Sequence, residues 1–167
     1  MDTITAIKTR RSIRRYVSKK IDEALIKEIV EAGSLAPSGL NNQPWRFIVV
    51  EDKDMIDRVS RNTKYSHVIK NASVIICVYL DKAESYNYIK DVQAIGACIQ
   101  NMLLFSHAHG LGSCWMGEIL NKAEQVNTLM KVPTEFELMA VITLGYPAES
   151  GQSERKKIDD LVYGWLK

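Results

Sequence analysis

Apolar residues recur along this chain with two periods, helical and alternating, and the switches between them mark out its elements. Ile4 and Ile7 share one helical face behind a cap at Asp2 or Thr3, which predicts a short helix ending near Thr9. Asp22 caps a second helix running to about Ser34. Leu25, Ile26, Ile29, Val30 and Gly33 form its buried stripe, and Ile21 is placed to staple onto Ile26. Arg46 to Val50 reads as a buried strand, and Asp52 or Asp54 opens a helix with Met55, Ile56 and Val59 turned inward. Ser73 to Leu80 is apolar on both faces, the pattern of a central strand covered from both sides.

The longest helical pattern runs from Tyr88 or Asp91 to His109, where Gly110 stops it. Apolar residues between Val92 and Phe105 cover nearly its whole circumference, so it should be buried all round. One domain offers few places for such a helix, and part of its surface is therefore expected to meet another subunit. Leu111 to Met116 reads as a short strand or extended turn. Asn121 is the expected cap of the next helix, with Glu124 reaching back as in a capping box and Val126, Leu129 and Met130 facing inward. Leu138 to Leu144 is the last strong strand, ended by Gly145, Tyr146 and Pro147. Residues 148–157 read as an exposed polar arm and 158–166 as a short apolar tail suited to docking on a partner. The order is helix, helix, strand, helix, strand, helix, strand, helix, strand: a single layered α+β or α/β domain over residues 1–167.

A chain of 167 residues buries a good core without disulfides or metal. Its 22 basic and 20 acidic side chains leave a net charge of +2, too small to point to nucleic acid or an acidic membrane as partner. Cys77, Cys98 and Cys114 are odd in number and form no C-x-x-C pair, which argues against zinc and thioredoxin-like chemistry. The N-terminus has no cationic stretch followed by an apolar one, and no apolar run approaches membrane-spanning length. The reading is a reduced, cytoplasmic protein. No G-x-G-x-x-G follows the first strand and no G-x-x-x-x-G-K-[ST] occurs, so a Rossmann site and a P-loop are unsupported.

Three stretches stand out against this ordinary background. Arg10, Arg11, Arg14 and Arg15 crowd four guanidinium groups around Ser12, and they repel one another unless an anion intervenes. A phosphate would answer them, because arginine binds it bidentately and a hydroxyl adds a donor. Arg155, Lys156 and Lys157 form a second basic cluster that could converge on the same phosphate. The run from Leu35 to Trp45 sets two prolines, a glycine and several side-chain amides between a helix and a strand, a platform for a flat ligand with polar edges. Within it, Trp45 reads as the residue anchoring the loop on the first strand. Gly110, Gly112 and Gly117 flank the third stretch, which contains Trp115 and Met116, and glycine permits close backbone approach. His107 and His109 are two apart on a helix and point to different sides, and no nucleophile–base pairing emerges. An enzyme with so little acid–base machinery relies on a cofactor for its hard chemistry.

Taken in order, Arg10 to Tyr16, Ala36 to Trp45 and Gly110 to Gly117 resemble the motifs of the nitroreductase family over essentially the whole chain. The resemblance implies an α+β fold with a central, mostly antiparallel sheet covered by helices, a domain-swapped homodimer, and FMN at each of two interface sites. By position it implies that Arg10, Arg11, Ser12 and Arg14 hold the FMN phosphate and ribityl chain, with Arg155 and Lys156 reaching the phosphate. Pro37, Ser38 and Asn41 would line the flavin edge from the partner subunit. Trp115, Met116, Gly117 and Glu118 would lie along the ring, the Gly117 N–H near the hydride-accepting nitrogen, and residues 148–167 would form an arm docking on the partner. The implied activity is ping-pong hydride transfer from NAD(P)H through FMN to a nitroaromatic, quinone or similar acceptor. A flavin-binding redox sensor and a specialised dehalogenating or flavin-fragmenting member are the alternatives. Two departures from the family pattern are visible: Gly110 follows the long helix without the insertion of larger members, and Gly117 occupies the place of an acidic residue, with Glu118 displaced by one.

Overall fold

The computed structural model describes residues 1–167, from Met1 to Lys167. Six helices and five strands follow one another as α1 (Thr3–Thr9), β1 (Tyr16–Val17), α2 (Glu23–Ser34), β2 (Trp45–Val50), α3 (Lys53–Ser60), α4 (Ser66–Lys70), β3 (Val74–Asp81), α5 (Tyr88–Ala108), β4 (Gly112–Met116), α6 (Ala123–Met130) and β5 (Phe136–Pro147). All ladders between these strands are antiparallel: β3 lies between β2 and β5, and the other edge of β5 pairs with both β4 and β1. This is an α+β fold.

β3 shows why a strand in an antiparallel sheet is apolar on both sides. Val74, Ile76, Val78 and Leu80 enter a core of 19 buried residues shared with α2 and α5. Ile75, Cys77 and Tyr79 point the other way, into a core of 17 buried residues under α3, α4 and α6. Two cores of nearly equal size mean that both faces of the sheet are covered, so alternation of polar and apolar residues has no role along β3. Trp45, 5 % exposed, belongs to the first core, as expected of the loop's anchor.

The expected caps are present where a side chain closes a first turn. Asp2 accepts from the Thr5 amide at 3.0 Å, Asp22 from Ala24 at 3.0 Å and Asp52 from Met55 at 2.7 Å. α5 ends in a Schellman arrangement: Leu111 N–H donates to Ser106 O at 2.9 Å and Gly110 N–H to His107 O at 3.1 Å. Gly110 takes the left-handed φ of 76° that this closure requires.

Several expectations are corrected. Asn121 does not cap α6; it lies in a 3-10 turn over Glu118–Lys122, and the helix starts at Ala123 without a side-chain cap. The tight turn takes up Asn121, while Glu124 lies in the first turn of α6 without the cap it was expected to pair with. β1 and α4 were not anticipated, because two- and five-residue elements are too short to leave a periodic signature. Within the single chain α5 is buried along one face, by Ala94, Ile95, Cys98, Ile99, Met102 and Leu103, while Ala97, Leu104 and Phe105 are half-buried and Ile89 is exposed, so part of its apolar surface stays open as the pattern leads to expect. Residues 153–167 lie fully on the surface with only one 3-10 turn, Ile158–Asp160, so the apolar tail has no partner within the chain. No helix is long and apolar enough to cross a membrane.

Candidate functional site

The first part of the site forms where the two ends of the chain cross. Residues 10–15 leave α1 and run beside β4: Ile13 N–H donates to Ser113 O at 2.9 Å, and Ser12 forms a parallel bridge with Ser113. The segment after β5 then folds over them. Ala148 N–H donates to Arg15 O at 2.9 Å, and Glu149 accepts from Arg14 N–H at 2.8 Å. Gly151 passes so close to Arg11 Cβ and Ser12 O that a side chain there would overlap them. Ser12, Arg14, Arg15, His67 and residues 149–152 thereby enclose a polar cleft of about 320 Å³.

Glu149 lines this cleft beside Arg14 and Arg15, and the under-satisfied cation of the segment, Arg10, lies outside its lining. Arg10 Nε is buried without a hydrogen-bond partner. Partial burial, and then the charges of Arg155 and Arg11, push the Arg10 pKa below its ordinary value. The structure therefore brings Arg155 to Arg10 from the opposite end of the chain, and three like charges share a neighbourhood with no acidic partner for Arg10. Of these arginines only Arg15 forms a side-chain ion pair, with Glu149 at a loose 3.8 Å. Arg11 turns away from the cleft, donating to the Lys8 and Arg10 carbonyls at 2.9 and 2.8 Å. Lys156 is exposed and forms no ion pair.

A second cleft, of about 200 Å³, adjoins the first through Arg14 and is lined by Tyr65, Val68 and residues 114–118. β4 alternates there. Cys114 and Met116 are buried in the second core, whereas Trp115 is 43 % exposed and lies on the α5 side. Met116, 5 % exposed, presents little surface to the cleft. A Cβ on Gly117 would meet nothing within 4 Å, so the face of this residue is open. Glu118 is pinned elsewhere: it accepts from the Thr63 hydroxyl and from Lys64 N–H at 3.2 Å. The Thr63 bond lowers its pKa against a smaller effect of burial, so it stays ionised. This latch carries the 63–65 segment to the cleft, and with it Tyr65, which sequence reasoning missed because nothing in the run Asn62 to Asn71 is periodic. Cys114 is no nucleophile in this setting, since burial raises its pKa despite the neighbouring Arg14, Ser12 and Arg10.

The third part stands apart from the other two. Pro37 and Ser38 line a shallow cleft of about 310 Å³ with Gly39, Tyr86 and residues of α5, and share no cleft with the arginines or with Gly117. Their loop is tightly wound: Leu40, Asn41 and Gln43 have φ of 55°, 56° and 47°. Such left-handed residues each cost about 1–3 kcal/mol and persist only where surrounding contacts over-determine them. Here Gln43 N–H donates to Ser38 Oγ at 3.0 Å, Asp81 N–H to Pro44 O at 2.7 Å, and the Asn42 amide to Glu84 O at 2.9 Å. Asn41 projects into solvent. A cavity of about 590 Å³ lies at another edge beside Lys19, Lys53 and Lys70 and contains none of the anticipated site residues.

The nitroreductase family profile matches residues 7–64 and 53–146, overlapping segments that span most of the chain. A Methanothermobacter thermautotrophicus protein, whose name pairs NADH dehydrogenase with NAD(P)H nitroreductase, is 37 % identical over 152 residues, covering 90 % of this chain and 80 % of that protein. The NADH dehydrogenase of Thermus thermophilus is 30 % identical over 200 residues, covering 99 % and 96 %. A crystal structure from Desulfovibrio desulfuricans, solved in complex with FMN, superimposes with a TM-score of 0.95 at 41 % identity and covers 100 % of this chain and 99 % of that one. The protein belongs to the nitroreductase family, in its compact single-domain form.

Proposed function

We propose that this protein is an FMN-dependent oxidoreductase that works as a homodimer, taking hydride from NAD(P)H and delivering electrons to a nitroaromatic, quinone or similar acceptor. The observation that carries this reading is the buried, unpartnered Nε of Arg10 beside the charges of Arg155 and Arg11. A phosphate monoester supplies the missing acceptor and relieves the repulsion together. The relative solved with FMN at 41 % identity over the whole chain supports the same ligand.

The donor set fits FMN from end to end. Arg10, Ser12 and Arg14 would hold the phosphate and ribityl chain, with Arg155 closing over it and Arg11 and Lys156 adding positive field at the rim. Trp115 and the backbone of Met116 and Gly117 would lie along the ring, and Glu118 would set the wall opposite by holding residues 63–65. When bound, FMN supplies the hydride relay, reduced by NAD(P)H and reoxidised by the acceptor in turn. The chain's share is to position both substrates on one open face and to present fixed N–H dipoles and the Arg14 charge where negative charge develops.

Two features support the dimer. The Pro37–Asn41 loop is remote from its own chain's arginines, so it serves a flavin only across an interface. Leu35, 76 % exposed, lines a groove with Met1, Ala6, Leu104 and Phe105 between α1, α2 and the half-buried side of α5, and Ile4 and Ile7 on α1 are 64 % and 57 % exposed, apolar surface that a second copy would cover. The exposed tail, with Leu161, Tyr163, Trp165 and Leu166, would dock on that copy. Three free, buried cysteines suit a reducing cytoplasm.

The visible spectrum of the purified protein tests this. The expected result is a yellow dimer with an FMN spectrum that bleaches anaerobically with NADH or NADPH and recovers with a nitroaromatic or quinone. A colourless protein that takes up no added FMN overturns the reading. Bound flavin that neither nucleotide reduces at millimolar concentration favours a redox sensor.

A further inference from the structure

The strained loop of residues 38–43 is tied to a buried carboxylate, Asp91 in the first turn of α5. Asp91 is 0 % exposed, and no lysine or arginine pairs with it. Four donors saturate it instead. Oδ1 accepts from Asn42 Nδ2 at 2.8 Å. Oδ2 accepts from Ser85 Oγ at 2.7 Å and from the Tyr86 and Asn87 backbone amides at 3.1 Å each. The start of α5 adds the favourable end of a 21-residue helix dipole. Burial pushes the carboxyl pKa up, but the bonds from Ser85, Asn42 and the two amides outweigh it and keep the group ionised.

Both sides of the loop hang from this charge. The Asn42 amide bridges Asp91 and Glu84 O, and so ties residues 40–43 to the turn before α5. Tyr86, whose N–H is held by Asp91, lays its ring against Gly39 so closely that any Cβ there would overlap it. A carboxylate is required because no other side chain accepts from four donors without presenting one of its own. An asparagine in its place would set an NH₂ against an N–H or O–H in either orientation.

We propose that Asp91 is a positioning residue for the flavin: through Asn42 and Tyr86 it holds the loop in the shape in which Ser38 and Asn41 meet the FMN bound across the dimer interface. This rests on the FMN reading above. Asp91 touches neither flavin nor substrate; it acts by removing alternative conformations of the loop, so that none of the binding free energy is lost in ordering it.

The test compares Asp91→Asn, Asn42→Ala and the double variant with Val126→Ala, which opens a cavity in the second core on α6, away from the loop. FMN affinity is read by fluorescence titration, flavin environment by visible circular dichroism, and stability by thermal midpoint. Asp91→Asn is expected to weaken FMN binding about tenfold or more and to alter the flavin dichroism, because it breaks hydrogen bonds to a charged group. The double variant is expected to lose less affinity than the two single losses combined, since both remove the Asn42–Asp91 bond. Val126→Ala is expected to lower the midpoint while leaving affinity and dichroism unchanged. Should Asp91→Asn fail to fold, Asn42→Ala, which keeps the carboxylate, carries the same comparison. Affinity and dichroism that follow the midpoint equally in all variants overturn the proposal. Wild-type protein that binds no FMN sinks the FMN reading and this inference together, whereas wild type that binds beside an unaffected Asp91→Asn sinks this inference alone.

Discussion

The two polar regions of this molecule are built in opposite ways. The crossing of residues 10–15 with 148–155 leaves cations facing one another and a buried Arg10 Nε with no acceptor. The loop of residues 37–45 instead ties most of its polar groups internally, through Ser38, Asn42, Asp81 and Asp91, with the Asn42 Oδ1 left buried and unpartnered, and holds three left-handed residues against their preference. On the proposed reading the first region is completed by a ligand, whereas the second is largely built before one arrives. Charge recognition tolerates an open, repulsive cleft because the anion itself relieves it. Recognition of a flat ring edge by amides needs hydrogen-bond geometry fixed in advance, and here that geometry costs backbone strain.

The sharpest break in this comparison is the pair Arg10→Ala and Arg14→Ala made together. Two charge-assisted bonds at about 1.5–3 kcal/mol each amount to a loss of FMN affinity of more than about a hundredfold. The FMN-free protein should keep its thermal midpoint or gain slightly, because the repulsion with Arg155 and Arg11 goes with Arg10. Fluorescence titration beside a melting curve checks both signs, and a lowered midpoint in the FMN-free variant would show that these arginines also hold the fold. Gly39→Ala acts on the loop instead. The added methyl overlaps the Tyr86 ring, whose exposed end can swing aside, so the urea midpoint without flavin should fall only slightly while FMN binding weakens with the lost ring contact.

Leu40→Gly is gentler. Leu40 is 84 % exposed at φ 55°, so glycine relieves left-handed strain without removing core contacts. It should stabilise the FMN-free protein by about 1 kcal/mol or less, while loosening the loop enough to weaken FMN binding. Stability and affinity moving together would argue that the loop is not a preorganised element. Acid offers the finest distinction. Asp91 has a pKa below the ordinary carboxylate value when folded. Its contribution to stability is therefore complete above the ordinary value of about 4 and is lost as pH falls through its own lower value. The difference in midpoint between wild type and Asp91→Asn should be constant near neutrality and shrink below about pH 4. A difference that grows on acidification would reverse the assigned sign.

Much of this could be read from the chain, and particular residues show where reading stops. Asp22 and Asp52 cap the helices they were expected to cap, and β3, β5 and α5 lie where their apolar runs place them. Asn121 failed as a cap because a 3-10 turn consumed it. β1 escaped notice because a strand of two residues has no period. Arg10 and Arg14 were legible as cations, but that Arg11 turns onto carbonyls at the end of α1 while Arg155 arrives from the far end was not. Met116 and Glu118 were legible as part of a motif, yet one side chain is buried and the other is spent on Thr63 and Lys64.

By itself the sequence determined the longer helices and strands, the caps at Asp2, Asp22 and Asp52, the two apolar faces of β3 and the residue types available for an anion and a flat ring. Those depend on neighbours within a turn or two, where spacing and backbone preference decide. Tertiary structure decided that residues 10–15 lie beneath 148–151, that Trp115 and Met116 part to opposite sides of β4, and that the Pro37–Trp45 run which stands out in the sequence is held by a carboxylate almost fifty residues away. No local pattern encodes such meetings, because they follow from strand pairing and from the need to give every buried charge its partners.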